Sequence, residues 1–244
     1  MPTTKKMDLY SYDANPDGSV KITSLMKQFQ QIAREDLTNY GISYNMMRDV
    51  NQVFVIIKER IEFKKKITIY DELYLKTVPT KIVGISFFRD FFITDSNGEI
   101  CAECSTSWVL MNFETRRILR PSDIVSEVPS FPDESSNVSL TRRFQFENPP
   151  ISKSTNVRKV YLSNLDENNH FNNTETAAFA IDEVADRILN NEFIKSFEIH
   201  FHNESKYKDS IELFTENRSD STYVYAKNPT SGDNNAFECV VTFE

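Results

Sequence analysis

The stretch "NLDENNHFNNTETAAFAIDEVADRILN", residues 164–190, changes character after its first ten residues. Those ten are mostly polar and typical of turns, and five of them are asparagine. The remainder is rich in alanine and has apolar residues at the spacing of an amphipathic helix. A helix needs only one or two such residues to cap its first N–H groups. The surplus, which includes one of only three histidines in the chain, therefore indicates a functional segment.

Composition limits the classes of protein that the chain can be. Its 244 residues, 39% hydrophobic and 12% aromatic, can bury one large core or two joined cores. The net charge of −8 argues against nucleic acid as a partner. No apolar run is long enough to insert into a bilayer, and residues 1–14 lack the apolar core of a signal peptide. Three cysteines favour a reducing compartment, so we expect a cytoplasmic protein.

A lone Cys-x-x-Cys occurs in "GEICAECSTSWVLMNF", residues 98–113, which reads as a strand. Cys101 and Cys104 are three residues apart and would point to opposite faces of that strand. Because a zinc site of this type needs a second pair of ligands, we predict neither a metal nor a cofactor.

The chain repeats one order of elements. We predict a short strand near 9–12 and a helix over 22–40, then strands with an Asn-Gly hairpin turn in "DSNGE". After a segment rich in Pro, Ser, Asp and Glu, the order recurs, with a strand over 157–162, a helix over 172–190 and further strands. The predicted domains are residues 1–125 and 151–244, joined by a linker over 126–150.

Weak residue similarity accompanies this repeat. "YDANPDG" (12–18) aligns with "LDENNHF" (165–171), and "ERIEFKKKITIYDEL" (59–73) aligns with "FEIHFHNESKYKDSI" (197–211). In this alignment Asp17 matches His170, and Lys66 matches Glu204. Only the second half then combines a histidine with a carboxylate, which indicates a single working site.

The residues of that half suggest hydrolytic chemistry. Asp166, Asn168 and His170 alternate before a helix, whose N-terminus can stabilise a developing oxyanion. His170 can move protons at neutral pH, and Glu204 could act as a base on water. The sequence has no GxSxG motif, so water is the expected nucleophile.

Two features complicate this interpretation. His200, His202 and Glu204 alternate and would share one face of a strand, as three metal ligands do. For the two histidines, a solvated strand face is the commoner explanation. Strict alternation would also keep Glu204 away from the helix, unless a bulge near Asn203 turned its side chain inward.

The motif residues resemble those of the acyl-acyl carrier protein (acyl-ACP) thioesterases. The family pattern around the active helix is roughly D-x-D-x-N-x-H-x-N-N, and this chain has "NLDENNHFNN" at 164–173, with Asn164 in place of the first aspartate. "NESKYKDSI" (203–211) fits a downstream family motif. The segment "FFRDFFITDSNGEICAECSTSWVLMNFETRRILRPSDI" (87–124) also resembles the family, so the likeness covers nearly the whole chain.

The resemblance implies an α+β fold, the double hot-dog, in which two tandem units each wrap a long helix in an antiparallel β-sheet. It implies hydrolysis of fatty acyl thioesters, with the first half shaping the acyl tunnel and the second supplying the chemistry. The implied site residues are Asp166, Asn168, His170 and Glu204. Serine stands at 205, where a cysteine nucleophile is sometimes proposed, so a thiol mechanism is excluded.

The expected partner is acyl carrier protein with its phosphopantetheine-linked acyl chain. Because both proteins are acidic, docking requires a local basic patch. The candidates flanking the motifs are Arg158, Lys159, Lys206 and Lys208. The second choices are Lys64, Lys65, Lys66, Arg116 and Arg117. An acyl-CoA thioesterase, a non-catalytic acyl-binding protein and a homodimer are left open.

Overall fold

A computed structural model describes residues 2–146, 156–232 and 234–244. The chain divides into two compact units, Met1–Leu140 (unit 1) and Thr141–Glu244 (unit 2). Residues 147–150 of the predicted linker lie outside the described residues. The domain boundaries proposed from the sequence therefore stay predictions.

Unit 1 consists of a five-stranded sheet and one long helix. Its elements are β1 (Thr3–Lys6), α1 (Ile22–Asn39), the short helix α2 (Tyr44–Asp49), β2 (Gln52–Phe63), β3 (Leu73–Val83), β4 (Ser86–Asp95) and β5 (Ile100–Asn112). The strands lie in the order β1-β3-β4-β5-β2, and every neighbouring pair is antiparallel.

Helix α1 packs on this sheet through the apolar stripe that its sequence predicts. Leu25, Met26 and Ile32 are buried, and the ring of Phe29 stacks on Phe91 of β4 with centroids 4.8 Å apart. Burial of this stripe is the main contribution to the stability of the helix, because helical propensity alone is weak.

The predicted hairpin turn at Asn97-Gly98 is confirmed between β4 and β5. Gly98 has a φ of 82°, a left-handed conformation that glycine adopts without strain. The Asp95 carboxylate closes the turn by accepting the N–H groups of Asn97 and Glu99 over 2.9 and 3.0 Å.

Unit 2 repeats the same plan with a shorter helical segment. Its elements are β6 (Asn156–Lys159), α3 (Asn173–Asp182), α4 (Ala185–Leu189), β7 (Ile194–Phe201), β8 (Ser210–Asn217), β9 (Ser221–Asn228) and β10 (Asn234–Phe243). The strands lie in the order β7-β10-β9-β8-β6, again with antiparallel neighbours. Each strand thus has a counterpart in unit 1, and the repeat of elements is confirmed, as is the α+β class with helices on antiparallel sheet.

Two predicted strands are misplaced or too long. The first strand lies at β1 rather than at 9–12, where Ser11–Asp13 forms a 3₁₀ turn. The Asp13 carboxylate accepts the N–H of Tyr10 over 2.9 Å and holds the chain in that turn. The strand predicted at 157–162 ends at Lys159, and a corresponding 3₁₀ turn follows at Leu162–Asn164.

The helix predicted over 172–190 is interrupted. At Glu183 and Val184 the backbone changes to bonds between residues three apart, and α4 begins after this break. Val184 is buried there, and the Glu183 carboxylate accepts hydrogen bonds from Asn156 and from Thr215. These tertiary contacts fix the break. Among the described residues, no helix has the length and apolar character needed to cross a bilayer.

Candidate active site

The segment before α3 is a tight turn built around one carboxylate. Asp166 Oδ1 accepts the backbone N–H of Asn168 over 2.8 Å and that of His170 over 3.0 Å. The N–H of Asp166 donates to the His170 carbonyl over 2.9 Å, and Asn169 has a left-handed φ of 61°. The segment is therefore a turn, as its polar residues indicate, and Asp166 supplies the short acceptor side chain that closes it.

Capping accounts for two of the asparagines in this segment. The Asn172 side-chain oxygen accepts from the Thr174 N–H and hydroxyl, over 2.8 and 2.9 Å, and caps α3. The Asn164 side chain accepts the N–H of Tyr161 over 2.9 Å and closes the preceding 3₁₀ turn. Capping leaves the histidine of the segment unexplained.

Glu204 lies beside that histidine. Nε2 of His170 is 3.3 Å from Oε2 of Glu204, and the two side chains are 22% and 36% exposed. Strand β7 ends at Phe201, so Glu204 belongs to the following loop. A bulge near Asn203 is not needed to turn Glu204 inward, because the strand ends before this residue and strict alternation no longer applies.

A backbone hydrogen bond brings the two segments together. The N–H of Phe171 donates to the carbonyl of Ser205 over 2.8 Å, and these residues directly follow His170 and Glu204. Phe171 itself is buried and its ring lies 4.9 Å from that of Phe179 on α3. The buried ring and the hydrogen bond together fix where the imidazole and the carboxylate meet.

An imidazole that pairs with a carboxylate at a partly exposed position can take a proton from water and return it to a leaving group. Asn168, on the same turn, carries an amide group of the kind that can donate to a developing oxyanion.

The environment of Ser205 is not that of a catalytic nucleophile. Its side chain is buried, and its Oγ accepts a hydrogen bond from Nδ2 of Asn228 over 3.0 Å. A serine nucleophile needs a base that removes its proton, and the amide that binds this buried hydroxyl is not a base.

The other two histidines have their own carboxylate partners. His200 Nε2 is 2.9 Å from Glu198 Oε1, and His202 Nε2 is 3.3 Å from Glu238 Oε2. Because Glu204 lies outside the strand, the three alternating residues do not share a strand face. In the described ranges there is no group of His, Cys, Asp and Glu residues suited to holding a metal ion.

His202 is exposed, as expected of a solvated face, but the same expectation is wrong for His200, which is only 2% exposed. The ring of Phe144 stacks on His200 with centroids 4.0 Å apart and covers it. Burial raises the pKa of Glu198, but the hydrogen bonds from His200 and Thr141 outweigh burial and leave that pKa below its ordinary value.

Unit 1 contains the same turn. The N–H of Asn15 donates to the Ser19 carbonyl over 2.8 Å, as Asp166 does to His170. The N–H of Val20 donates to the carbonyl of Ile67 over 3.0 Å, as in the pairing that flanks the candidate site of unit 2. These matching bonds define which residues of the two units correspond.

The correspondence corrects the alignment drawn from the sequence. Ser19, rather than Asp17, stands where unit 2 has His170, and Asp17 stands where it has Asn168. The match of Lys66 with Glu204 is retained, and Lys66 Nζ forms an ion pair with Asp17 Oδ2 over 2.6 Å. The position of the imidazole–carboxylate pair thus holds a hydroxyl and an ammonium in unit 1, which supports a single site in unit 2.

The basic residues proposed for docking fall into two groups. Lys159, Lys206 and Lys208 are exposed. Arg158 forms an ion pair with Asp182 and lies over the ring of Phe179.

The second-choice lysines of unit 1 are all engaged in ion pairs. Lys64 pairs with Glu103 over 3.0 Å, Lys65 with Asp95 over 2.7 Å, and Lys66 with Asp17. Arg116 adopts a left-handed φ of 58° in the turn after β5, and Arg117 is exposed. These pairs lower the charge that unit 1 can offer to an acidic partner.

Comparison with known proteins assigns the family. The model of the acyl-ACP thioesterase N-terminal domain matches residues 2–128, and that of the acyl-ACP thioesterase C-terminal domain matches residues 149–240. The chain belongs to the acyl-ACP thioesterase family. The predicted family is confirmed.

Two plant relatives illustrate the similarity of sequence. Oleoyl-acyl carrier protein thioesterase 2 of Arabidopsis thaliana is 23% identical over 93% of this chain and 66% of its own length. Dodecanoyl-[acyl-carrier-protein] hydrolase of Umbellularia californica is 25% identical over 82% of this chain and 55% of its own length. The chain thus spans between about half and two thirds of the length of these relatives.

Solved structures show the fold. A crystal structure of an acyl-ACP thioesterase from Bacteroides thetaiotaomicron has a TM-score of 0.80 at 18% identity and covers 100% of this chain and 98% of its own. The 12:0-ACP thioesterase from Umbellularia californica has a TM-score of 0.79 at 20% identity, with coverage of 100% and 97%. The predicted double hot-dog fold is confirmed.

Proposed function

We propose that this protein hydrolyses fatty acyl-ACP to free fatty acid and carrier protein. The observation that carries the proposal is the contact of His170 with Glu204 at 3.3 Å, on the motif that marks this family of thioester hydrolases. The names of the plant relatives, which act on acyl-ACP, support the choice of substrate.

In the proposed reaction, a water molecule attacks the carbonyl carbon of the thioester. Its proton passes to the His170–Glu204 pair, and the Asn168 amide with N–H groups of the helix N-terminus stabilises the oxyanion. The tetrahedral intermediate then breaks the C–S bond, and the departing thiolate takes up the proton. Asp166 orients the turn through its two backbone hydrogen bonds and does not need to touch the substrate.

We propose the carrier protein docks on a basic surface formed by Arg158, Lys159, Lys206 and Lys208. Lys206 and Lys208 follow Glu204 closely in sequence, so a docked carrier would deliver its phosphopantetheine arm near the pair. Unit 1 would bind the acyl chain, as the resemblance implies. A cytoplasmic role in fatty acid biosynthesis fits the reducing compartment suggested by the three free cysteines.

An acyl-CoA thioesterase is the main competing function. Acyl-ACPs of graded chain length, and the acyl-CoAs matched to them, should be offered to the purified protein while free acid and free thiol are measured. We expect kcat/KM to be higher for the carrier-bound substrates. A higher value for the CoA esters would overturn the substrate, and hydrolysis of neither would overturn the activity.

A further inference from the structure

A buried amide on a neighbouring strand holds the loop that carries Glu204. Asn228, the last residue of β9, is 1% exposed. Its Nδ2 donates to Ser205 Oγ over 3.0 Å and to Asp209 Oδ2 over 2.8 Å. Its Oδ1 accepts the N–H of Ser231 over 3.2 Å, so the amide uses its donors and its acceptor together.

The second member of this network closes the other end of the loop. Asp209 is buried, and its Oδ2 also accepts the N–H of Lys206 over 2.9 Å. The backbone carbonyl of Asp209 accepts the N–H of Val160 over 2.9 Å. These hydrogen bonds to buried side chains therefore fix both ends of the segment 205–209. Glu204 immediately precedes this segment.

Unit 1 forms the corresponding turn without such an amide. The Asp71 carboxylate accepts the N–H of Thr68 over 2.7 Å, as that of Asp209 accepts Lys206. Asp71 is exposed, whereas Asp209 is buried. At the end of β4, Asp95 binds the exposed ammonium of Lys65 rather than a buried serine. The turn itself therefore needs only the aspartate, and the buried amide is an addition found in unit 2.

We propose that Asn228 is a positioning residue, which acts through Ser205 and Asp209 to keep the Glu204 carboxylate against the His170 imidazole. This inference rests on the proposed hydrolysis. Ser205 is held on two sides, by Asn228 at its hydroxyl and by Phe171 at its carbonyl. Loss of the amide frees the loop that carries Glu204, and a displacement of about 1 Å at a reacting group can cost about 10²-fold in rate.

The test uses an exchange of the two buried groups. Asn228→Asp places two carboxylates side by side in a buried site, where they repel each other. Adding Asp209→Asn restores one amide and one carboxylate in exchanged positions, and the Ser205 hydroxyl can donate to the new carboxylate. Asn228→Ser removes the amide without adding a charge, so it provides the same test if Asn228→Asp does not fold. Asp71→Asn is the matched control in unit 1.

The measurements are kcat, KM and Tm, with kcat expressed per folded protein and the acyl-ACP that the wild type hydrolyses fastest as substrate. We expect Asn228→Asp and Asn228→Ser to lower kcat about 10-fold or more with KM within about 2-fold, and the exchanged double variant to recover most of kcat. Asp71→Asn should lower Tm only.

Unchanged kcat in both Asn228 variants, or no recovery in the double variant, would overturn the positioning role. If the Asn228 variants give such a result but the wild type hydrolyses acyl-ACP and His170→Ala does not, only the positioning role is wrong. A wild-type protein that hydrolyses no thioester overturns the proposed function and this inference with it.

Discussion

The N–H of Phe171 lies 2.8 Å from the carbonyl oxygen of Ser205, and each residue directly follows one member of the His170–Glu204 pair. The same bond joins Val20 to Ile67 in unit 1, where serine and lysine precede the two residues. One backbone connection thus supports two different pairs of side chains. The chemistry proposed for unit 2 therefore depends on the side chains at these positions rather than on a special backbone.

Replacement of Glu204 by Gln tests the carboxylate while keeping its size. The amide cannot take up a proton or stabilise a protonated imidazole, so we expect kcat to fall about 10²-fold or more without loss of folding. Glu238→Gln is the matched control, because Glu238 also lies 3.3 Å from a histidine, His202. Steady-state kinetics in which both variants lose equal activity would contradict the role of Glu204.

Replacement of Ser205 by Ala should leave turnover within a few-fold of the wild type. The Asn228 amide loses one acceptor and keeps Asp209, so we expect a loss of about 1 kcal/mol of stability. Turnover and urea unfolding measure the two effects separately. A variant that folds normally but turns over more slowly by about 10²-fold or more, while the Asn228 variants keep the wild-type rate, would restore a nucleophile at this position.

Reversal of Lys206 and Lys208 to Glu tests the docking surface. At low salt we expect KM for acyl-ACP to rise several-fold and KM for a short acyl-CoA analogue to change little, because only the carrier is a large acidic partner. The wild-type preference should weaken as salt rises, since exposed charges about 10 Å apart are screened at 0.1 M ionic strength.

Lys5 and Lys6, whose reversal to Glu makes the same change in net charge on β1, provide the control. Their ion pairs with Glu35 and Glu72 are exposed, so their loss should cost little stability. An equal response of both substrates, or of both pairs of variants, would rule out docking through Lys206 and Lys208.

The buried carboxyl of Glu59 predicts a pH-dependent stability for unit 1. Burial raises its pKa to about 8 from 4.5, so the folded protein keeps a proton that the unfolded chain releases. The free energy of unfolding should therefore fall as pH rises from 4.5 to about 8, at a limiting rate of about 1.4 kcal/mol per pH unit, and level off above.

Urea unfolding across this pH range measures the effect. Glu59→Gln cannot ionise and should lose less stability over this pH range. Glu62→Gln, at a more exposed position further along β2, should follow the wild type. A wild type and a Glu59→Gln variant with parallel curves would show that Glu59 does not titrate in this range.

The sequence predicts those parts of the structure whose cause is local. The apolar stripe of α1 and the Asn97-Gly98 turn have the pattern that their conformations require, and both are confirmed. The motif around His170 also identifies the family. Glu204 lies beside His170 despite the expected alternation, because β7 ends before it reaches that residue. Its role in catalysis stays a prediction.

The remaining features depend on contacts that no local pattern indicates. The polar residues at 166–170 indicate a turn, but not that the Asp166 carboxylate closes it by accepting the N–H groups of Asn168 and His170. The sequence suggests that His200 is solvated, but in the structure the ring of Phe144 covers it. Asn228 precedes a proline, so the sequence at this position suggests only a turn. Its contact with Ser205 joins segments that are far apart in sequence, and no local pattern indicates it.

Single-turnover hydrolysis of acyl-ACP by the wild type and by His170→Ala tests the central claim most directly, with acyl-ACP binding measured on the same proteins. The account predicts free acid from the wild type, a rate at least about 10²-fold lower in His170→Ala, and unchanged binding. Equal rates in the two proteins would contradict catalysis by the His170–Glu204 pair. Binding without hydrolysis in the wild type would instead identify a non-catalytic acyl-binding protein.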